Sequence, residues 1–292
     1  MLNARNVATV LAVLFLVLSF AALPGVDAEP QTAAGDLIYV PVMVTDNKGV
    51  PVATLKEADF QVLEDNKEQK IASFSPAGEP VALGIILGLS ARGPVTSPGQ
   101  RDRTTVDILN AVETVRGAGN SPQFEQIPLD ADTIFNSVNT ALGFLSKMPG
   151  ARKALVVISD GFISSGMQAS NAPQPKALIE TSKVSPVPVH FLAPYTGSTP
   201  PSWQEGSTTA TGFYLEQIAQ FSGGEVLTGQ IENDLKKVSE GMRDRLKNQY
   251  VLGYKSPNNA KDGKWRKITV KVNPAAGKFK LIAKEKYFVP KG

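Results

Sequence analysis

Two apolar runs of the chain end in residues that could take part in binding. VALGIILGLSARG, residues 81–93, ends in a small-residue turn with Ser90 and Arg92, and ALVVISDG, residues 154–161, delivers Asp160. If both runs are strands of one parallel sheet, their carboxyl ends form a ligand crevice where the strand order reverses and adjacent loops separate. An Arg fork is suited to hold a carboxylate there. The sequence therefore predicts a loop-borne binding site.

The same residues allow an enzymatic alternative. The chain order Ser90, Asp160, His190 matches an α/β-hydrolase triad, and GLSAR is similar to a nucleophile elbow. The elbow requires Gly two residues after the Ser, where this chain has Arg92. His190 lies inside the apolar run VPVHFLA, whereas a triad histidine usually lies on a loop. A serine hydrolase is thus a minor alternative, and we expect no catalytic residues and no enzyme.

The beginning of the chain has the pattern of an export signal. A charged segment, MLNARN, precedes an apolar run over residues 7–23, and small residues follow at 26–28. We predict a signal peptide over residues 1–28, cleaved near Ala28, and a mature protein that is periplasmic or extracellular. The alternative is an uncleaved anchor, because the run is only slightly shorter than the ~20 residues that span a bilayer.

Composition limits the kinds of site that the chain can build. The chain has no cysteine and one histidine, which excludes disulfides and argues against structural zinc. Only a hard metal with oxygen ligands stays open. The formal net charge is +3, but residues 261–292 hold ten Lys or Arg and two acidic residues, so the rest of the chain is net negative.

Periodicity predicts the elements that carry these residues. Short β runs over residues 36–75 are followed from residue 81 by alternating strands and helices, and period two returns at residue 250. We predict an α/β fold with a doubly wound, mostly parallel sheet over residues 79–248. We expect residues 29–78 and 249–292 to pair into a small β-rich module. Gly223 and Gly224 follow a helix and are interpreted as its left-handed C-cap.

Lysines alternate with other residues in the C-terminal segment. KWRKITVKV and KFKLIAKEK contain Lys267, Lys271, Lys278, Lys280, Lys284 and Lys286. Period two predicts that they lie on one face of each strand. This basic surface is either a solvated face that prevents edge pairing or a docking surface for an anionic envelope component. Because the chain has an export signal and no nucleic-acid-binding motif, we expect no nucleic acid partner.

Seven segments resemble, in their order and spacing, the bacterial (acidobacterial-type) VWFA-related family of exported proteins. They are VTDNKGVPVATLKEADFQVLEDNKEQKIASFS, GIILGLSARG, GARKALVVISDG, QIAQFSGGEV, LKNQYVLGY, KWRKITVKV and KEKYFVP. The resemblance implies a von Willebrand factor A domain between β-rich ends, with a metal-ion-dependent adhesion site at its carboxyl edge. The family's site uses a DxSxS motif, a Thr and an Asp. Here Asp160 matches the Asp, and Thr133 or Thr140 matches the Thr.

The first motif of that site is degenerate in this chain. Gly88 stands in place of the Asp and Arg92 in place of the second Ser, which leaves Ser90, Thr133 and Asp160 as residual ligand positions. Such a set binds Mg²⁺ or Ca²⁺ weakly at most, and the guanidinium repels a divalent ion. We therefore expect no cofactor. Arg92 either replaces the ion and pairs with Asp160, or points into solvent while Asp160 caps a turn.

The resemblance implies that a protein partner binds this edge. We expect Ser90, Arg92, Thr133, Asp160, Ser164 and Ser165 to line the binding face. A second departure concerns residues 117–132, which are too few for the strand and helix that the family places between the first helix and the Thr loop. We expect the sheet to have lost an element there and to leave an exposed edge.

Overall fold

The structure is a computed structural model that describes residues 37–88, 107, 110–118, 133–159, 173–195, 210–230, 234–258 and 260–291. Its strands are β1 (Ile38–Thr45), β2 (Phe60–Glu64), β3 (Lys67–Gln69), β4 (Ile71–Ser75), β5 (Ala82–Gly88), β6 (Lys153–Ser159), β7 (Val189–Tyr195), β8 (Val226–Gln230), β9 (Tyr250–Tyr254), β10 (Trp265–Val272), β11 (Lys280–Ala283) and β12 (Lys286–Phe288). Its helices are α1 (residues 110–116), α2 (Thr133–Lys147), α3 (Pro173–Val184), α4 (Ala210–Ser222) and α5 (Leu235–Asn248). Short 3₁₀ turns cover Glu57–Asp59 and Pro274–Ala276.

Four parallel strands, β5 to β8, form a sheet with helices on both faces. Residues 154–158 of β6 are fully buried, which explains their continuous apolar run. Ala154, Val156 and Ile158 pack in the same cluster as α1 and α5. Leu155 and Val157 pack with α2, α3 and α4 on the opposite face. The α/β fold with a parallel sheet is therefore as predicted.

The strand order of this sheet follows the chain, β5-β6-β7-β8. The crevice that we expected at a reversal of strand order therefore has no counterpart among the described strands. In the described part of the chain β5 is an edge strand, and its neighbour β6 is the next strand along the sequence. Residues 119–132, between α1 and α2, lie outside the described residues, so the expected loss of an element there stays a prediction.

The remaining strands form two antiparallel sheets, β11-β1-β9-β4 and β12-β10-β2-β3. Each sheet contains strands from both ends of the chain, as predicted: Val42 is paired with Tyr250, and Val62 with Val270. Between the sheets lies a core that contains Val40, Val42, Val62, Leu252 and Tyr250, each at most 3% exposed. We call these two sheets and their connections the β module.

Arg152 connects the β module to the α/β part. It is 5% exposed and directly precedes β6. Its guanidinium donates to the carbonyls of Pro76 (3.2 Å) and Glu79, between β4 and β5, and to those of Leu246 (2.7 Å) and Lys247 (3.0 Å) in the last turn of α5. A buried cation at a helix C-terminus satisfies carbonyls that have no partner within the helix. Sequence reasoning did not identify this residue.

Of the described helices, none combines the length and the apolar character that a membrane span needs. The predicted signal peptide, residues 1–28, lies outside the described residues.

Candidate functional site

The predicted binding edge begins at the carboxyl ends of β5 and β6. Gly88 and Ser159, the last residues of these strands, are register partners, so the chain leaves the sheet at two adjacent points about 4.8 Å apart. Ser90, Arg92, Asp160, Ser164 and Ser165 follow these points and lie outside the described residues. Their contacts, including the Arg92–Asp160 pair, therefore stay predictions.

The direction of α2 distinguishes the two candidate threonines. Lys153, at the start of β6, donates from Nζ to the carbonyl of Ser146 at 3.0 Å, so the end of α2 lies at the amino end of the sheet. The helix therefore begins at the carboxyl end, with Thr133 as its first residue. Thr140 is exposed and lies about 10 Å further along the helix axis. The helix geometry favours Thr133 for the carboxyl edge.

The histidine of the hydrolase alternative lies away from that edge. His190 is the second residue of β7 and the register partner of Val156. Ser159, from which the chain continues to Asp160, is three residues further along β6, or about 10 Å. Neither ring nitrogen of His190 has a hydrogen-bond partner among the described residues, whereas a triad histidine bonds both of its neighbours. This position does not favour the triad, which stays an untested minor alternative.

The predicted basic surface is not one surface. Because β11 pairs with β1 and β12 pairs with β10, the chain changes sheet at residues 284–285 and the period of two is broken. Lys267, Lys271, Lys278 and Lys280 are exposed, as predicted. Lys286 is partly buried, with its Nζ 4.9 Å from the centroid of the Trp265 ring. Lys284 is 8% exposed, which corrects its assignment to the surface.

A cleft of about 860 Å³ lies between the amino end of the parallel sheet and the β module. From the α/β part, His190, Glu225 and Arg245 line it. From the β module, β10, β11 and the corner at residues 284–286 line it. Sequence reasoning missed this cleft because its two walls come from residues that are distant in the sequence.

Two glycines allow the walls of the cleft to approach each other. Gly223 ends α4 with φ +88°, and its amide donates to the carbonyl of Ala219 at 3.0 Å, which confirms the predicted C-cap. A Cβ on Gly224 would lie 1.9 Å from the carbonyl oxygen of Val189 in β7. A Cβ on Gly223 would lie 3.2–3.3 Å from the aliphatic carbons of Lys284. The stem of Lys284 is therefore packed against the end of α4.

Burial determines the charge states of the titratable groups in the cleft. It lowers the pKa of Lys284 to about 8. It also lowers the pKa of His190 to about 4; the carboxylate of Glu225 opposes this shift and Arg245 adds to it. Glu225 Oε1 lies 3.9 Å from His190 Nδ1, and Oε2 accepts from the Arg245 guanidinium. At neutral pH His190 is therefore uncharged and Lys284 is mostly protonated.

A buried carboxylate elsewhere in the β module provides a contrast. Glu64 is 4% exposed and accepts from the hydroxyls of Tyr254 (2.9 Å), Ser256 (2.7 Å) and Tyr287 (3.0 Å). Burial, together with this carboxylate, raises the pKa of Tyr254, and burial raises that of Tyr287 to about 12. With three donors in place, Glu64 forms a structural network rather than an open site.

The described residues contain no cluster of three or more His, Asp or Glu side chains that could hold a metal ion. The residual ligand positions Ser90 and Asp160 lie outside them, so the expected absence of a metal at the carboxyl edge stays a prediction. Comparison of the chain with protein-family models, curated proteins and solved structures finds no match. Function is therefore inferred from the chain's own sequence and geometry.

Proposed function

We propose that this chain is an exported, non-enzymatic protein-binding module, with a von Willebrand A-like α/β domain inserted in the β module. It engages a protein partner through the segments at the carboxyl edge of the parallel sheet. Its degenerate adhesion site works without a metal ion. Ser90, Arg92, Thr133, Asp160, Ser164 and Ser165 line the binding face.

The main support is the difference between the two ends of the parallel sheet. At the amino end the connections are short: Met148–Arg152 before β6, Ser185–Pro188 before β7 and Gly223–Glu225 before β8. The β module is joined to this end through Arg152. At the carboxyl end, β6 and β7 lead into the longer segments 160–172 and 196–209. Long segments at one edge of a rigid sheet are the usual position of binding residues.

Arg92 gives the proposed binding face a fixed positive charge. It replaces a ligand position of the metal site, so a fixed positive charge stands where the family has a cation. An arginine can bind a carboxylate with two parallel hydrogen bonds. The face therefore suits a partner that presents a carboxylate, as metal-dependent adhesion sites do, but with affinity that does not depend on added metal.

Site-specific photo-crosslinking tests the location of the face. A photoreactive residue is placed at position 90, 92 or 164 in the native envelope, and at two control positions, exposed Val50 in the β module and exposed Lys147 at the end of α2. We expect the same partner to be crosslinked from the carboxyl edge and not from the controls. Equal crosslinking from the control positions would refute the assignment.

The identified partner is then purified for affinity measurements. We expect Arg92→Glu to weaken binding about tenfold or more, because the charge partner of the proposed carboxylate is lost and repulsion is added. Lys147→Glu makes the same charge change at the opposite end of α2 and leaves the affinity unchanged. If both variants bind like the wild type, the carboxyl edge is not the binding face.

Calorimetric titration with Mg²⁺ tests the absence of a metal. We expect the wild type to show no tight Mg²⁺ binding, because Gly88 and Arg92 replace ligands. The double variant Gly88→Asp, Arg92→Ser restores the DxSxS pattern and gains affinity for Mg²⁺. Tight binding by the unmodified protein contradicts the metal-free site.

A further inference from the structure

Lys284 differs from the other buried cations of the described residues. Arg152 donates to four carbonyls, and Arg266 donates to both carboxylate oxygens of Asp262 at 3.0 Å. Lys284 is 8% exposed, yet no described residue forms a hydrogen bond or an ion pair with it. It lines the cleft, and its ammonium is not among the buried side-chain atoms that lack a partner, so Nζ is accessible from the cleft.

The other charges of the cleft do not neutralise Lys284. Glu225 is occupied by Arg245, and Asp65 accepts from the amide of Lys267. The charged side chains around the cleft are Asp65, Glu225, Arg245, Lys267, Glu285 and Lys286. Burial is the cause of the lowered pKa of Lys284, and no neighbouring charge opposes it. Burying an unpaired ammonium is unfavourable, and an anion bound in the cleft would offset that cost.

His190 borders the same cleft but does not offer its ring nitrogens to a ligand. It is 4% exposed, and both nitrogens are buried without partners among the described residues. It is neutral at physiological pH and adds no charge to the cleft. Lys284 therefore supplies the positive charge for a ligand at this wall.

The surroundings of these groups favour a ligand with a single negative charge. The C-terminal end of α4, against which Lys284 packs, carries a partial negative charge, and the Glu225 carboxylate lies 3.9 Å from His190. Both disfavour a dianion such as phosphate. The remaining lining includes the Trp265 ring and the apolar side chains of Val270, Leu281 and Ile282. A carboxylate attached to an apolar or aromatic body matches this combination.

We infer that the cleft between the parallel sheet and the β module is a binding site for a small amphipathic carboxylate. Lys284 pairs with the carboxylate. Trp265 and the apolar side chains contact the body of the ligand. This site is distinct from the proposed protein-binding face, which lies at the opposite end of the sheet.

Titrations of the mature full-length protein with three probes test this site. The probes are benzoate, its neutral isostere benzamide and inorganic phosphate, and binding is measured by calorimetry. We expect benzoate to bind about tenfold or more tightly than benzamide and phosphate, since only benzoate offers both one negative charge and an apolar body. Lys284→Met should weaken benzoate binding about tenfold or more. Lys280→Met, at an exposed lysine of β11, should leave it unchanged.

A second measurement uses the wild type alone and does not depend on the folding of a variant. Amine acetylation is followed by mass spectrometry with and without benzoate, which should protect Lys284 and leave Lys280 equally reactive. The inference is overturned if benzamide binds as tightly as benzoate, if phosphate binds more tightly, or if Lys284→Met binds benzoate normally. It is also overturned if benzoate fails to protect Lys284.

Discussion

Replacing Lys284 by Met tests whether this lysine lowers the stability of the free protein. The ordinary lysine pKa of 10.5 falls to about 8 in the fold because the ammonium is buried. One pKa unit is ~1.36 kcal/mol, so burying the charged form costs about 3 kcal/mol. Methionine keeps an unbranched stem that can pack against Gly223 and removes the charge. Below pH 8 we therefore expect Lys284→Met to raise the free energy of unfolding by about 3 kcal/mol.

The sign of the pH dependence follows from the two pKa values. Between about pH 8 and pH 10.5 the folded protein has lost the Lys284 proton while the unfolded chain still holds it. The unfolded state binds more protons in this window, so the free energy of unfolding of the wild type rises with pH. The advantage of Lys284→Met is complete below pH 8 and disappears as the pH approaches 10.5.

Urea unfolding followed by circular dichroism measures this difference from neutral pH up to about pH 10, where tyrosines titrate in the unfolded chain. Comparing variant with wild type at each pH cancels the other titrating groups. Lys280→Met is the matched control: its lysine is exposed, so its effect should be small and independent of pH. The reasoning is refuted if Lys284→Met is less stable than the wild type at pH 7, which would make Lys284 a structural cap of α4. It is also refuted if the difference does not change with pH.

Three further predictions concern stability. Arg152→Met leaves four backbone carbonyls without their donor and should lower the free energy of unfolding by about 3 kcal/mol or more. The control Arg116→Met, at an exposed i,i+3 ion pair, should lower it by less than about 1 kcal/mol. Equal losses in the two variants would contradict the role of Arg152. Burial lowers the pKa of His190 from 6.5 to about 4, so the free energy of unfolding of the wild type should fall by up to about 3 kcal/mol as the pH falls from 6.5 towards 4. The free energy of unfolding of His190→Phe should fall less over the same range. If it falls equally in both proteins, the histidine is not buried in its neutral form. Gly224→Ala places a methyl group 1.9 Å from a carbonyl oxygen of β7 and should lower the free energy of unfolding, measured in urea, by about 3 kcal/mol or more. Gly143→Ala in α2, with nothing within 4 Å of the added Cβ, should instead raise it by up to about 1 kcal/mol. Similar effects of the two substitutions would contradict the close approach of Gly224 to β7.

The elements of this fold were predictable where local patterns reflect burial. Residues 154–158 (ALVVI) are buried on both faces, so their continuous apolar character predicted β6. FQVLE alternates because β2 lies between β10 and β3 with one face in the core of the β module. The similar composition of both chain ends predicted that they pair, and β9 indeed lies between β1 and β4.

The chemistry of the cleft was not predictable from local patterns. The lysine spacing in KFKLIAKEK has a period of two, but the period carries no information on where the chain passes from one sheet to the other. This passage at residues 284–285 buries Lys284 while Lys280 stays exposed. Arg152 presents the same difficulty, because its acceptors come from residues 76–79 and from α5, and nothing in the neighbouring sequence indicates them.

The two inferred sites lie at opposite ends of the same sheet, and this separation affects how they can be coupled. β7 runs from Val189, beside the cleft, to Tyr195 at the carboxyl end, a span of about 20 Å. Sites so far apart without shared contacts have nearly additive free energies unless the sheet itself has two arrangements. The effects of Lys284→Met on benzoate binding and of Arg92→Glu on partner binding should therefore be independent in the double variant. A marked departure from additivity would show that the parallel sheet transmits the occupancy of the cleft to the binding edge.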